Sequence, residues 1–231
     1  MLFEYVPSCQ ITEHLKPEFM QEIYSFGLLA LTSFFTLFNP LGTMPIFVSM
    51  TSELSEEQKR KTARKAVVVA FITILVFAFS GQLLFRFFGI SVNSFRIVGG
   101  VIFFLMGQDM LQARLGKIKM SEKESEINAY VNDISITPLA IPMISGPGSI
   151  TNGIVLMEDA STFWKKLVLV GSIALILALT YVILVSGTRI SKKLGPTGNN
   201  VLMRLMGLIV MVIAVEFFFS GLKPIVQDMI K

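Results

Sequence analysis

Two short segments hold most of the residues of this chain that could bind a small polar ligand. The first is Asn39-Pro40-Leu41-Gly42-Thr43 and the second is Ser145-Gly146-Pro147-Gly148-Ser149-Ile150. Proline lacks an amide hydrogen and clashes with the preceding turn, so a helix passing through either segment must open. An opened helix leaves free carbonyls before the break, and free amides with the positive end of a helix dipole after it. Carbonyls suit an ammonium group or a cation, and amides suit a carboxylate. The two breaks together therefore fit a zwitterion. Gly42, Gly146 and Gly148 keep side-chain bulk away from such a ligand, and Asn39, Thr43, Ser145 and Ser149 add polar groups.

The elements that must position these residues are membrane helices. Of 231 residues 53% are hydrophobic and 16% charged, and the mean hydropathy is +0.68, too apolar for a soluble domain of this size. Apolar runs cover about 23–51, 66–88, 95–111, 134–157, 164–185 and 201–222. Each reaches the roughly 20 residues a tilted span needs, the third when 92–113 is counted. The expected fold is all-α, six transmembrane helices in a multi-pass cell-membrane protein, with spans 1 and 4 broken near the bilayer midplane. Residues 1–22 read as an extracytoplasmic arm and 23–231 as one membrane domain, with a charged loop at 114–133. Irregular backbone at membrane depth is tolerated only where protein or a wet cavity satisfies it, which makes the breaks the natural place for a site.

Other chemistry is sparse. Cys9 and His14 are the only residues of their kinds, so no intramolecular disulfide and no His/Cys metal site is expected. With its only histidine, His14, in the arm, and without a paired-aspartate site or an ATP-binding loop, the chain is not expected to be an enzyme or an ATP-driven pump, and no cofactor is expected. The net charge of +4 reports membrane topology and gives no reason to expect a nucleic-acid partner. Glu216 and Asp109 lie in apolar runs, and membrane carboxylates are candidates for carrying a coupling ion, H+ or Na+. The competing reading is that they sit near helix ends and reach headgroups.

Repetition orders these parts. Asn39-Pro40 and Gly146-Pro147 are 107 residues apart, and Arg96-Ile97-Val98-Gly99 echoes Arg204-Leu205-Met206-Gly207 at 108. Three spans per unit forces the second unit to be inverted, giving a 3+3 inverted repeat of about 23–114 and 134–222. Twelve basic residues fall in the loops after spans 1, 3 and 5, against seven on the opposite face. Those loops are expected to be cytoplasmic and both termini extracytoplasmic.

Asn39-Pro40-Leu41-Gly42-Thr43-Met44-Pro45-Ile46-Phe47 and the run from Pro138 through Pro142, Ser145-Gly146-Pro147-Gly148-Ser149 and Ile150 resemble the two hallmark segments of the MarC family of integral membrane proteins. The resemblance spans nearly the whole chain outside the arm. Within that family the SnatA-type branch transports small neutral amino acids such as glycine and alanine. The resemblance implies a secondary transporter whose substrate-binding breaks are Asn39, Pro40, Leu41, Gly42 and Thr43, with Ser145 to Ile150. A passive channel or an exporter for small neutral solutes is the alternative.

Overall fold

The computed structural model describes residues 17–112 and 130–230. Among them the protein is all-helical, with no strand. Residues 1–16 of the expected arm (1–22) and most of the loop at 114–133 lie outside the described residues.

Helix α1 (Pro17–Phe38) begins inside the stretch read as the arm, with Glu18 in its first turn, where a carboxylate complements the helix dipole. Phe26, Ala30, Phe34 and Phe38 recur every four residues and bury one face. At Asn39 the backbone turns left-handed (φ 43°, ψ 60°) and the helix stops. Asparagine tolerates this conformation better than most residues. Helix α2 (Pro40–Met50) restarts at once, with Pro40 in the first turn, where its missing N–H costs nothing.

Helix α3 (Glu56–Phe88) starts ten residues before its apolar run, because Ser55 and Gln58 form a reciprocal capping box. Its buried stripe is built of small residues, Ala63, Ala66, Ala70, Ala78 and Gly81, which let neighbouring backbones come close. Left-handed Gly89 (φ 63°) ends it. Helix α4 (Val92–Leu111), capped by Ser91, coincides with the extended reading of the third apolar run.

The fourth run is two pieces. Segment α5 (Ser135–Ile144) is wound wide, with the Ser145 amide donating to the Ala140 carbonyl five residues back (2.8 Å). Thr137 and Ile141 inside it are extended, as expected of residues that precede a proline. Helix α6 (Pro147–Asp159) follows at 59° to the Tyr130–Ile144 piece. The last helical stretch, Phe163–Ile230, is interrupted at Gly195, whose φ of 67° and ψ of −178° break the ladder. Its arms are α7 (Phe163–Gly187) and α8 (Thr197–Ile230).

Among the described residues five helices are long and apolar enough to cross a membrane, or six when the bent α5–α6 pair is counted as one span. The first of them takes α1 and α2 together, as Pro17–Met50. Helices α4 and α8 pack antiparallel through glycine: a Cβ on Gly107 would lie 2.9 Å from the Gly207 carbonyl oxygen, and one on Gly100 would lie 2.7 Å from that of Ala214. Such approach places the backbones of the pair in direct contact. Lys165, buried at the start of α7, clamps α1 through Glu22 (2.6 Å) and over the ring of Phe26.

Candidate functional site

The first break is self-capped. Asn39 Oδ1 accepts the Gly42 amide (3.1 Å), the standard service of an N-cap side chain. Since that amide needs an acceptor, the asparagine's other atom is the Nδ2 donor, and it has no partner among the described residues. Thr43, 3% exposed, donates its hydroxyl to the carbonyls of Phe38 (3.3 Å) and Asn39 (3.1 Å). Its oxygen keeps lone pairs to accept with.

The second break is capped differently. Gly146 gives α6 no side-chain cap, so the Gly148 and Ser149 amides, with no turn before them, lack an intrahelical acceptor. The nearby hydroxyls point backward. Ser145 donates to the Ala140 carbonyl (2.7 Å) and Ser149 to that of Ile144 (3.0 Å). The carbonyls expected to be free for a ligand are thus partly taken by the hydroxyls expected to bind it. Both groups are buried, and a local hydroxyl–carbonyl bond satisfies two polar groups at once.

The glycines also serve rings. A Cβ on Gly146 would lie 2.4 Å from Phe103 Cζ, and one on Gly148 would lie 2.2 Å from Phe217 Cζ. These two rings, with centroids 6.0 Å apart, fill the space beside the second break. A Cβ on Gly42 would lie 2.3 Å from Asn39 Nδ2 and displace the cap.

Beside the first break lies a cavity of about 40 Å³. A buried water needs roughly 10–15 Å³ on this measure, so the space holds a few waters or one very small solute. Its polar corner is Thr36, Asn39, Gly42 and Thr43, and its apolar wall includes Phe103, Met106, Met110 and Met143. Phe103 links the two breaks, since its ring lines the cavity and abuts Gly146. Three lining pairs, Thr36 and Met143, Phe103 and Val210, and Met106 and Ile213, are each 107 residues apart, the separation of Asn39 and Gly146.

The other expected site residues lie elsewhere. Pro40 is buried beside the break, while the Leu41 side chain is 56% exposed on the outer surface. Ser145, Pro147, Ser149 and Ile150 are buried but do not line this cavity, and Ile150 packs with Phe85 and Ile154. Glu216 and Asp109 are exposed on α8 and α4 and are absent from the cavity wall. Sequence reasoning missed Phe103, Met106, Val210 and Ile213. The repeat separation could have found them as pairs, had it been applied to apolar positions. No group of three or more His, Cys, Asp or Glu that could hold a metal occurs among the described residues.

The model of the MarC family of integral membrane proteins matches residues 24–226, which takes in both breaks and every cavity residue. This chain belongs to the MarC family. Its MarC-family relatives include a UPF0056 membrane protein of Pyrococcus horikoshii, 38% identical over 88% of this chain and 98% of that one. Another, from Methanocaldococcus jannaschii, is 35% identical over 86% and 96%. The UPF0056 membrane protein YvbG of Bacillus subtilis is 35% identical over 87% and 96%. No solved structure matches. As a MarC-family chain it is an integral membrane protein, and its long apolar helices are its candidate membrane spans.

Proposed function

We propose that this protein is a secondary transporter of small neutral amino acids, glycine and alanine, which bind as zwitterions between the two helix breaks. The observation that carries this reading is the small cavity against the first break whose wall, through Phe103, reaches the second. Asn39 Nδ2, on the cavity wall, suits the carboxylate, and the uncapped α6 amides, across the Phe103 ring from it, add the positive field of a helix N-terminus. The oxygens of Thr36 and Thr43 suit the ammonium group. Met and Phe side chains leave room for a hydrogen or a methyl group and little more.

The inverted 3+3 repeat belongs to the same proposal. Three cavity-lining pairs share the separation of the breaks. Gly81 of α3 faces Ile154 of α6 (2.4 Å from a Cβ), and Gly187 of α7 faces Met44 and Val48 of α2 (2.3 and 3.4 Å). Gly81 and Gly187, like Val48 and Ile154, are 106 residues apart, so each repeat rests the second half of its broken span on the other repeat's glycine. A binding site on the axis between inverted repeats is the usual transporter arrangement. In this reading both breaks lie near the midplane, the basic loops are cytoplasmic and both termini are outside.

Ion coupling is the remaining part. The cavity wall offers hydroxyl, amide and carbonyl oxygens and no carboxylate, which favours Na+ over H+. Counterflow tests the site: liposomes containing the purified protein and loaded with unlabelled alanine should take up labelled glycine, and phenylalanine inside should not support that exchange. Equal exchange with both would contradict the pocket size. Rapid flux of glycerol through the same liposomes would favour the channel.

A further inference from the structure

A second, larger cavity lies away from the breaks. It is an open furrow of about 630 Å³ between α3 and α7, lined by Arg64, Phe71, Leu177 and Tyr181, with Ala174 and Ala178 on its floor. The two helices run antiparallel here, so Arg64 and Tyr181 share one end and Phe71 and Ala174 the other. Arg64 stands just before the apolar run of α3 begins at Ala66, and Tyr181 stands near the end of that of α7. Both therefore belong at headgroup level, where tyrosine and basic residues anchor.

The furrow floor is not explained by packing among the described residues. Gly81 and Gly187 are small because a neighbouring side chain presses on them. Ala174 and Ala178 are exposed, and a methyl group added to Gly171, one turn earlier on the same stripe, would meet nothing within 4 Å. At the polar end no described residue compensates the charge. Arg64 is exposed and forms no ion pair or hydrogen bond with a described residue, no described acid lines the furrow, and Arg60 and Lys61 are exposed one turn away.

We propose that this furrow binds an anionic phospholipid, its phosphate on Arg64 with the Tyr181 hydroxyl beside it, and an acyl chain along Ala178, Ala174 and Phe71. Basic pockets between membrane helices are suited to acidic headgroups, and the small-residue floor makes space for a chain. A second copy fits less well. A two-fold axis along the membrane normal would make the interface isologous, bringing Arg64 of each copy to the same depth and setting like charges together with no acid between them.

The test uses the full chain purified in detergent and titrated with phosphatidylglycerol or phosphatidylcholine while thermal unfolding is followed. Phosphatidylglycerol should stabilise at a concentration about fivefold lower, the worth of one basic contact near a membrane surface. Arg64→Gln should abolish that preference while the protein still responds to both lipids, and Arg64→Lys should keep it. Ala178→Phe, which fills the furrow, should weaken the response to both. Equal stabilisation of the wild type by the two lipids would overturn the proposal, as would a preference that survives Arg64→Gln. So would efficient disulfide dimerisation of Ala178→Cys, in a Cys9→Ser background, which would seat a second copy in the furrow.

Discussion

Asn39 is the residue on which the first break depends, because it both accepts the left-handed turn and caps the helix that follows. Asn39→Ala should lower stability by about 1 kcal/mol, the usual worth of an N-cap, measurable as a lower unfolding temperature in detergent. It should lower glycine uptake by far more than that stability loss explains, since the Nδ2 donor goes too. Gly42→Val should abolish uptake, because its Cβ takes the place of the Asn39 amide; normal uptake by a well-inserted variant would reduce the break to a kink. Glu216 faces outward and off the cavity wall. Glu216→Gln is therefore expected to leave gradient-driven accumulation unchanged, and loss of accumulation would return that carboxylate to the mechanism. At this scale the sequence is readable where the backbone decides the outcome: Pro40 and Pro147 mark their breaks because a missing N–H acts locally. It is less readable where side chains choose partners. Ser145 and Ser149 look like ligand groups, yet each bonds a carbonyl five residues back, a choice made by burial.

Several of the closest helix contacts here are made at glycines. Gly81 under Ile154 and Gly187 under Met44 hold the second halves of the two broken helices against α3 and α7. Gly81→Val and Gly187→Val should each cost roughly 1–3 kcal/mol, the usual penalty of overpacking, and lower the unfolding temperature by similar amounts. Similar losses are what a repeat predicts, and a large loss for one with none for the other would count against equivalent roles. Apolar runs locate α4 almost to the residue, because its length is little more than the run itself. They miss the start of α3 by ten residues, since a charged amphipathic turn with a capping box is helical without being apolar. The expected loop after the fifth run is wound as helix up to Gly195. Hydropathy reports where the chain meets lipid and does not report where winding stops.

The whole molecule is legible as a membrane protein from composition alone, and as a MarC-family chain from two proline–glycine segments. The cavity is not, because Phe103, Met106, Val210 and Ile213 come from two helices about a hundred residues apart and have no polar signature. Topology has a direct test in Cys9, the sole cysteine. With both termini outside, a membrane-impermeant maleimide should label it on intact cells, and labelling only after lysis would reverse the orientation. Transport is tested most directly by uptake of labelled glycine into proteoliposomes under an imposed inward Na+ gradient, with a proton gradient alone as the comparison. Saturable accumulation driven by Na+, competed by alanine, insensitive to phenylalanine and lost in Gly42→Val is the expected result. No uptake under either gradient, or uptake that Gly42→Val leaves intact, would contradict it.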